Sequence, residues 1–225
     1  MPRITSKICG VCPTAHHIAS TKTLDAPYKV EPTPAARAVR EAMYNAFMFE
    51  DHLLHFYFLG GPDFVMGPDA DPAIRNILGM IDKLGIDTGK TVIGARAAAH
   101  EIVKILGGKT IHMVTAIAGG VTKGLTKDER DRIVELGEQL LEFAKFTIKI
   151  VDDVVLANQT YLDLILSDPY THRFHSMGTV DDNNHINFYD GLVRVVDVNG
   201  QEIVKYHPRN YLDHIAERVE KWSYL

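Results

Sequence analysis

Two cysteines and a nearby histidine carry the clearest chemical signal in this 225-residue chain. Cys9 and Cys12 are three positions apart, and His16 follows four residues after the second cysteine. The chain has two cysteines, so their placement in one Cys-x-x-Cys pair favours joint use, for metal binding or redox chemistry. Two thiolates and one imidazole rarely complete a soft-metal site, so the pattern predicts further ligands from elsewhere.

Three kinds of site remain compatible with the pair. A structural zinc site needs a second ligand pair, for which His16 and His17 are near but no further cysteine exists. A thioredoxin-like dithiol requires a βαβ unit, and the flanking sequence shows none. The third kind is one half of a site for a transition-metal cluster that distant residues complete. The spacing of the cysteines does not decide among them.

A second group of ionisable residues interrupts a long apolar segment. Asp51 and His55 are four residues apart, with His52 between them, so Asp51 and His55 share one face of a helix. Buried ionisable groups are costly unless they are paired or bound. The simplest interpretation is a buried Asp–His pair that links core helices. Beside a metal half-site, a part in the chemistry becomes the alternative.

Two glycine pairs flank another histidine. Gly107-Gly108 precedes His112, and Gly119-Gly120 follows it. Glycine permits positive φ or close backbone approach, but the pattern of a phosphate-binding loop is not met. We expect helix termination and a tight turn here. The remaining candidates are predicted surface or pocket residues rather than a catalytic set: His172, His175 and His185.

Composition limits the classes of partner and location. The net charge is -5 with acids and bases mixed along the chain, so no basic stripe indicates a nucleic-acid partner. No apolar run approaches the ~18 residues that span a bilayer, and no signal segment is evident. The cysteines do not form a secreted disulfide framework. We therefore expect no membrane span and a cytoplasmic location.

The elements that must position these residues are mostly helices, so the predicted fold class is mainly α (α+β). Residues 34–59 read as one long helix that is apolar nearly all round, which indicates burial inside a larger body. Asn199-Gly200 between two short strands, 192–198 and 201–206, predicts an antiparallel β-hairpin on a type I′ turn near the C-terminus. No linker divides the chain, so residues 1–225 are expected to form one domain. The other predicted helices are 16–25, 71–84, 94–106, 126–165 and 208–222.

Several of these motifs together resemble one family. The run from Pro2 to Pro13 with His16 resembles the N-terminal nickel-binding motif of nickel–iron hydrogenase large subunits, with Lys7 where the family usually has arginine. The segments around Asp51 and His112 are similar to the family's next two motifs, with Met113 where proline is common. Residues 211–224 are similar to the segment before its C-terminal half. The chain most resembles the cytoplasmic F420-non-reducing, methyl-viologen-reducing type.

The resemblance implies a role for each site residue. Cys9 would be a terminal thiolate on nickel, and Cys12 would bridge nickel and an iron that carries carbon monoxide and cyanide. His16 would hydrogen-bond near the bridging sulfur. Asp51 would lie over the open coordination site, where hydrogen splits heterolytically into hydride and proton. Electrons would pass to an iron–sulfur small subunit, then to flavin or heterodisulfide-reductase-type subunits.

The departures from the family pattern are equally informative. The upstream Glu-Gly-His motif, the C-terminal Cys-x-x-Cys and the arginine over the metal are absent from residues 1–225. We therefore expect a buried long-helix bundle that is part of the large-subunit domain, lacks its N-terminal and C-terminal segments and supplies half of the metal ligands. One alternative is a non-catalytic structural or assembly subunit of the same fold, against which the retained cysteines argue. Another is a small zinc-binding module using Cys9, Cys12 and His16, against which the long apolar helix argues.

Overall fold

The computed structural model describes residues 1–222, and these divide into two compact units. The first unit covers Met1–Ile165, and the second begins at Leu166. Most described residues are helical, with small antiparallel sheets, so the predicted fold class is confirmed. Ser223 and Tyr224, the end of the segment similar to the family, lie outside the described residues. No described helix is both long and apolar enough to cross a bilayer.

The first unit is built from eight helices, two π-helical turns and one β-hairpin with two residues in each strand. A π turn, His55–Gly60, follows α3, and another, Val151–Leu156, follows α7. Strands β1, Ala116–Ile117, and β2, Gly120–Val121, pair antiparallel. The helices are α1 Pro2–Thr5, α2 Pro13–Tyr28, α3 Pro34–Leu54, α4 Gly61–Met66, α5 Ile77–Leu84, α6 Ile86–Gly107, α7 Lys127–Ile150 and α8 Gln159–Ile165.

Helix α3 is the central element, and it packs against α6. Thr33 begins it by accepting a hydrogen bond from the Ala36 N–H, and Pro34 occupies the first turn, where no N–H is needed. Small residues of α6 let the two helices approach closely. The buried apolar core includes Met43, Phe47 and Leu53 from α3, Ala95, Ala98, Ala99, Ile102 and Leu106 from α6, and Leu136, Leu140 and Phe143 from α7.

The predicted end of the long helix at Gly60-Gly61-Pro62 is wrong. Gly60 and Gly61 keep helical backbone angles, and the chain continues through the π turn into α4. Pro62 lies in the first turn of α4, where its missing N–H costs nothing. Gly61 is required for another reason, because a Cβ there would lie 2.3 Å from the carbonyl oxygen of Phe56.

Several predicted helix boundaries also differ from the structure. Helix α2 begins at Pro13 and runs past Pro27 to Tyr28, because Lys29 ends it in the left-handed region at φ 50°. Helix α6 begins at Ile86, a full two turns before the predicted start. Helix α5 begins only after Asn76, whose side chain accepts from two backbone N–H groups.

Helix α7 begins as predicted but ends early. Thr126 and Glu129 form the predicted capping box. The predicted single helix to residue 165 is wrong, because the π turn Val151–Leu156 and a break at Ala157 separate α7 from α8.

The second unit is a three-stranded antiparallel sheet. Strands β3 (Ser176–Val180), β4 (Leu192–Val196) and β5 (Glu202–Tyr206) lie in that order. The predicted hairpin is confirmed, but its type I′ turn is wrong, since Gly200 has positive φ and Asn199 does not. Strand β3 falls where an irregular segment is predicted, because its residues are mostly exposed and lack an apolar alternation.

The predicted final helix, 208–222, is wrong within the described residues. A short 3₁₀ helix, Pro208–Asp213, stands in its place. Leu212, Val219 and Trp222 are all at least 75% exposed, so no packed apolar face supports a helix there. The predicted surface histidines of this unit, His172, His175 and His185, are exposed.

Candidate metal centre

The Cys-x-x-Cys run forms the loop between α1 and α2. Cys12 is the N-cap of α2, and Pro13 is its first residue. His16 therefore lies one helical turn after Cys12, on the same side. Donor atoms of Cys9, Cys12 and His16 all lie within 4.8 Å of one another, and the three residues are half-buried. The structure thus brings together the three metal-site residues that the sequence places close in the chain.

A hydrogen bond joins the two cysteine side chains. The Cys12 thiol and the backbone N–H groups of Cys12 and Val11 hydrogen-bond to the Cys9 sulfur, and they lower the pKa of Cys9. The Cys12 N–H lies 3.2 Å from the Cys9 Sγ. The pKa of Cys12 is raised to about 11, because its thiol donates to Cys9 and burial disfavours its charge. A metal ion bound by both sulfurs would displace the proton of this hydrogen bond.

The negative charge of Asp51, on α3, reaches this pair. It partly opposes the lowering of the pKa of Cys9, adds to the raised pKa of Cys12 and, after burial, adds to the raised pKa of Tyr44. The predicted buried pair of Asp51 with His55 is wrong, because His55 is exposed and no hydrogen bond or ion pair joins their side chains in the described structure. His52 is also exposed, and its Nδ1 contacts the Met48 carbonyl oxygen at 2.7 Å.

His17 links neighbouring elements of the fold and is not a zinc ligand. It is 0% exposed, and burial lowers its pKa. Its Nδ1 lies 3.2 Å from the Pro2 carbonyl oxygen in α1, and its Nε2 accepts from the Ala116 N–H of β1 at 3.2 Å. Both ring nitrogens are therefore engaged away from the cysteines. The sequence gives no signal of these contacts of His17, because both partners are backbone groups of other elements.

His112 supports the same loop from the other side. Its Nδ1 lies 2.9 Å from the carbonyl oxygen of Ser6, which is fully buried just before the cysteines. His112 has a φ of 59°, in the left-handed region that non-glycine residues seldom adopt. The hydroxyl of buried Thr14, just after Cys12, contacts Met113 at 3.3 Å. Both ends of the cysteine loop thus rest on the segment 112–116.

A buried ion pair secures the β1–β2 hairpin. Arg40 of α3 is 0% exposed, binds Asp25 of α2 at 2.7 Å and donates to the carbonyl oxygens of Ile117 and Gly120. Asp25 also accepts from the Gly119 N–H at 2.7 Å. Gly119 adopts a φ of 77°, so the predicted tight turn at this glycine pair is confirmed. Sequence reasoning missed Arg40, which lies amid the many charged residues of a helix.

A second buried acid lines a small cavity beside the cysteine loop. Glu50, 6% exposed, accepts hydrogen bonds from Arg96 and contacts His100, each at 3.0 Å. The cavity measures about 70 Å³ and is also lined by Gly10 and Thr14. Glu50 stands next to Asp51 in the sequence, yet sequence reasoning passed over it, since its partners come from α6.

Comparisons with known proteins agree with the resemblance seen in the sequence. Residues 1–74 match the model of the nickel-dependent hydrogenase family. The whole chain is 46% identical to the iron-sulfur subunit of the F420-non-reducing hydrogenase of Archaeoglobus profundus, and covers 46% of that protein. It is 43% identical to the vhu F420-non-reducing hydrogenase subunit of Methanocaldococcus jannaschii, and covers 52% of it. The chain is therefore similar to nickel-dependent hydrogenase subunits over its whole length.

The fold agrees with this similarity. An NAD+-reducing [NiFe]-hydrogenase in the H2-reduced state superposes with a TM-score of 0.88 at 27% identity, over 99% of this chain and 49% of that one. The Ni-Fe-Se hydrogenase of D. vulgaris Hildenborough superposes with a TM-score of 0.72 at 26% identity, over 93% and 44% of the two chains. The predicted likeness to the F420-non-reducing type is confirmed. The chain spans about half the length of the relatives it matches.

The donor set fits part of a nickel–iron site of this family. Two sulfur donors and one imidazole nitrogen lie close enough together to bind the same metal ion. Soft thiolates suit these transition metals. No fourth donor joins the group among residues 1–222. The described residues could therefore hold a metal on one side and leave the other side to further ligands.

Proposed function

We propose that this chain forms part of the catalytic large subunit of a nickel–iron hydrogenase, which cleaves or forms dihydrogen and passes electrons to an iron–sulfur partner subunit. One observation carries the proposal: the donor atoms of Cys9, Cys12 and His16 converge, in a chain similar to hydrogenase subunits over its full length. The nickel–iron centre, with carbon monoxide and cyanide on iron, supplies the heterolytic cleavage of dihydrogen when bound.

The cysteines hold the metals in this proposal. Cys9 binds nickel as a terminal thiolate, which its lowered pKa favours, since the thiolate is the form that ligates metals. Cys12 would hold both nickel and iron through its sulfur. The pKa of Cys12 is raised first by the hydrogen bond that its thiol donates to Cys9, so binding of metal by Cys12 would require the loss of that proton.

His16 and Asp51 act on protons and charge around the thiolates. A ring nitrogen of His16 within 4.8 Å of both sulfur donors is placed to hydrogen-bond near the bridging sulfur and so moderate its basicity. The carboxylate of Asp51 is near enough to influence the pKa of both cysteines. We assign Asp51 to hold the proton released from dihydrogen at a carboxylate oxygen.

The proposal requires partners that complete the site. Two further thiolates would come from a C-terminal half of the large subunit that carries a second Cys-x-x-Cys. An iron–sulfur small subunit would accept the electrons, with flavin or heterodisulfide-reductase-type subunits beyond it. The A. profundus relative is itself named an iron-sulfur subunit. A cytoplasmic location stays a prediction.

A zinc-binding module is the second candidate, and the three-donor cluster itself favours it. Cys9, Cys12 and His16 would supply three of the four ligands that structural zinc requires. A non-catalytic subunit of the same fold would need no metal at all. The three functions differ in metal content, so metal analysis separates them.

The test measures bound nickel, iron and zinc, together with hydrogen-dependent dye reduction, for the chain with and without its co-purifying partners. We expect nickel and iron with a partner that carries Cys-x-x-Cys, and loss of hydrogen uptake in Cys9→Ser. Stoichiometric zinc without nickel would refute the hydrogenase assignment in favour of the zinc module. Metal-free protein with every partner present would favour the non-catalytic subunit. Unchanged activity in Cys9→Ser would refute its role as a ligand.

A further inference from the structure

The cysteine loop lies between the short helix α1 and helix α2, which also carries His16. Helix α1 ends at Thr5, and the chain then reaches Cys9 by way of Ser6. Helix α2 begins directly after Cys12. The distance between the two sulfur atoms therefore depends on how α1 is held against the start of α2.

His17 makes that connection. It lies in the first turns of α2, is 0% exposed, and reaches Pro2 in α1 through Nδ1 and Ala116 in β1 through Nε2, each at 3.2 Å. A carbonyl oxygen accepts and a backbone N–H donates, so one neutral tautomer satisfies both partners: the proton is on Nδ1, and Nε2 carries the lone pair. No other side chain of this size presents a donor and an acceptor in that fixed geometry.

The segment that His17 reaches is itself well held. The Ile117 carbonyl, next to Ala116, accepts from buried Arg40, and Gly119 donates to Asp25. His112, four residues before Ala116, contacts the Ser6 carbonyl oxygen. The hairpin is therefore a rigid support, and His17 transmits its position to Pro2.

We propose that His17 is the positioning residue of the metal site: it ties α1 to the β1–β2 hairpin across the start of α2 and thereby sets the separation of the Cys9 and Cys12 sulfur atoms. The inference rests on the ligand roles proposed above. His17 touches no metal and acts through the backbone of α1. Its removal deletes the hydrogen bond at Pro2, whereas the end of α1 stays bonded through Ser6 and through the Thr5 hydroxyl, which donates to the His16 carbonyl oxygen at 3.4 Å.

The probe is Co²⁺ added to the full chain, followed by the absorption of the thiolate-to-cobalt charge transfer. We expect His17→Ala to bind Co²⁺ about tenfold more weakly, within the range for residues that orient metal ligands from outside the coordination sphere. Thr21→Val is the matched control. Thr21 is equally buried on α2, one turn later, and its hydroxyl donates to the His17 carbonyl oxygen at 2.6 Å. It should keep wild-type affinity.

Conservative variants separate positioning from packing. The amide of His17→Asn can donate to Pro2 in place of Nδ1, and the amide oxygen of His17→Gln can accept from Ala116 in place of Nε2. We expect each to recover part of the Co²⁺ affinity. His17→Leu fills the space without hydrogen bonds and should bind as weakly as the alanine variant. If leucine restores the affinity and the amides do not, His17 only packs and the proposal is wrong.

Cys9→Ser distinguishes this proposal from the one it rests on. If Cys9→Ser weakens Co²⁺ binding and a folded His17→Ala does not, the positioning role fails and the ligand role stands. If Cys9→Ser leaves binding intact, both fail. Should the alanine variant not fold, the ¹⁵N shifts of His17 in the wild-type chain decide. We expect the proton on Nδ1, and a proton on Nε2 instead would overturn the link to Ala116.

Discussion

Replacing Arg40 by methionine removes a guanidinium that is 0% exposed while leaving a side chain of similar length. Asp25 then keeps a charge in a site where its side chain is only 15% exposed. The carbonyl oxygens of Ile117 and Gly120 lose their donor at the same time. We expect the β1–β2 hairpin to loosen from α2 and α3.

The magnitude follows from which group is left unpaired. Breaking a buried ion pair by removing one partner costs about 3–5 kcal/mol, because the remaining charge stays desolvated. The residual exposure of Asp25 and the hydrogen bond that it accepts from the Gly119 N–H reduce this cost. We expect Arg40→Met to lower the free energy of unfolding by about 3 kcal/mol. Adding Asp25→Asn should recover about 1–2 kcal/mol, because it removes the stranded charge.

The assay is denaturant unfolding followed by far-UV circular dichroism, with hydrogen exchange at the Gly119 amide as a local reporter. Arg130→Met is the control, since Arg130 and Asp131 are 66% and 51% exposed and such a pair contributes at most about 1 kcal/mol. A loss under about 1 kcal/mol in Arg40→Met, or unchanged protection of Gly119, would refute the reasoning.

Three further expectations follow from the same structure. At neutral pH, iodoacetamide should modify Cys9 before Cys12, because hydrogen bonds lower the pKa of Cys9 and that of Cys12 is raised to about 11; peptide mass mapping that finds Cys12 modified first would contradict this. Gly61→Ala should destabilise the fold by about 2–3 kcal/mol, because the new Cβ would lie 2.3 Å from the Phe56 carbonyl oxygen. Gly94→Ala in α6, where a Cβ meets open space, should stabilise the fold by about 0.5–1 kcal/mol. Equal melting temperatures of the two variants would contradict this. Burial lowers the pKa of His17 in the folded state, so the unfolded state binds the proton more readily. The free energy of unfolding should therefore fall as the pH drops below about 6.5. His17→Asn should lack this part of the pH dependence, and parallel curves of stability against pH for the two proteins would disprove it.

Local sequence patterns predicted those parts of the site whose geometry is local. Cys12 and His16 are one helical turn apart, so their approach follows from the helix that Pro13 begins. The capping box of Thr126 and the hairpin around Gly200 are likewise short-range devices. The predicted stop at Gly61 failed, because tight packing against Phe56 uses the glycine inside a continuing helix rather than at its end.

Contacts between distant segments could not be read in this way. His16 and His17 are the same residue type at neighbouring positions, and helix periodicity alone turns one toward the cysteines and the other toward Pro2 and Ala116. Glu50 and Asp51 divide similarly, one toward Arg96 and His100 and the other toward the thiols. A predicted helix specifies that side chains adjacent in sequence point in different directions, but it does not specify which groups of other elements they contact.

The amino-acid sequence by itself determined the donor types, their spacing and the resemblance to hydrogenase large subunits, because these depend on residue identity and on one turn of helix. Only the tertiary structure decided that Glu50 pairs with Arg96, that His17 supports the loop, and that buried Arg40 secures the hairpin behind it. Those contacts join residues 15 to 99 positions apart, and their partners are mainly backbone groups that carry no sequence signal.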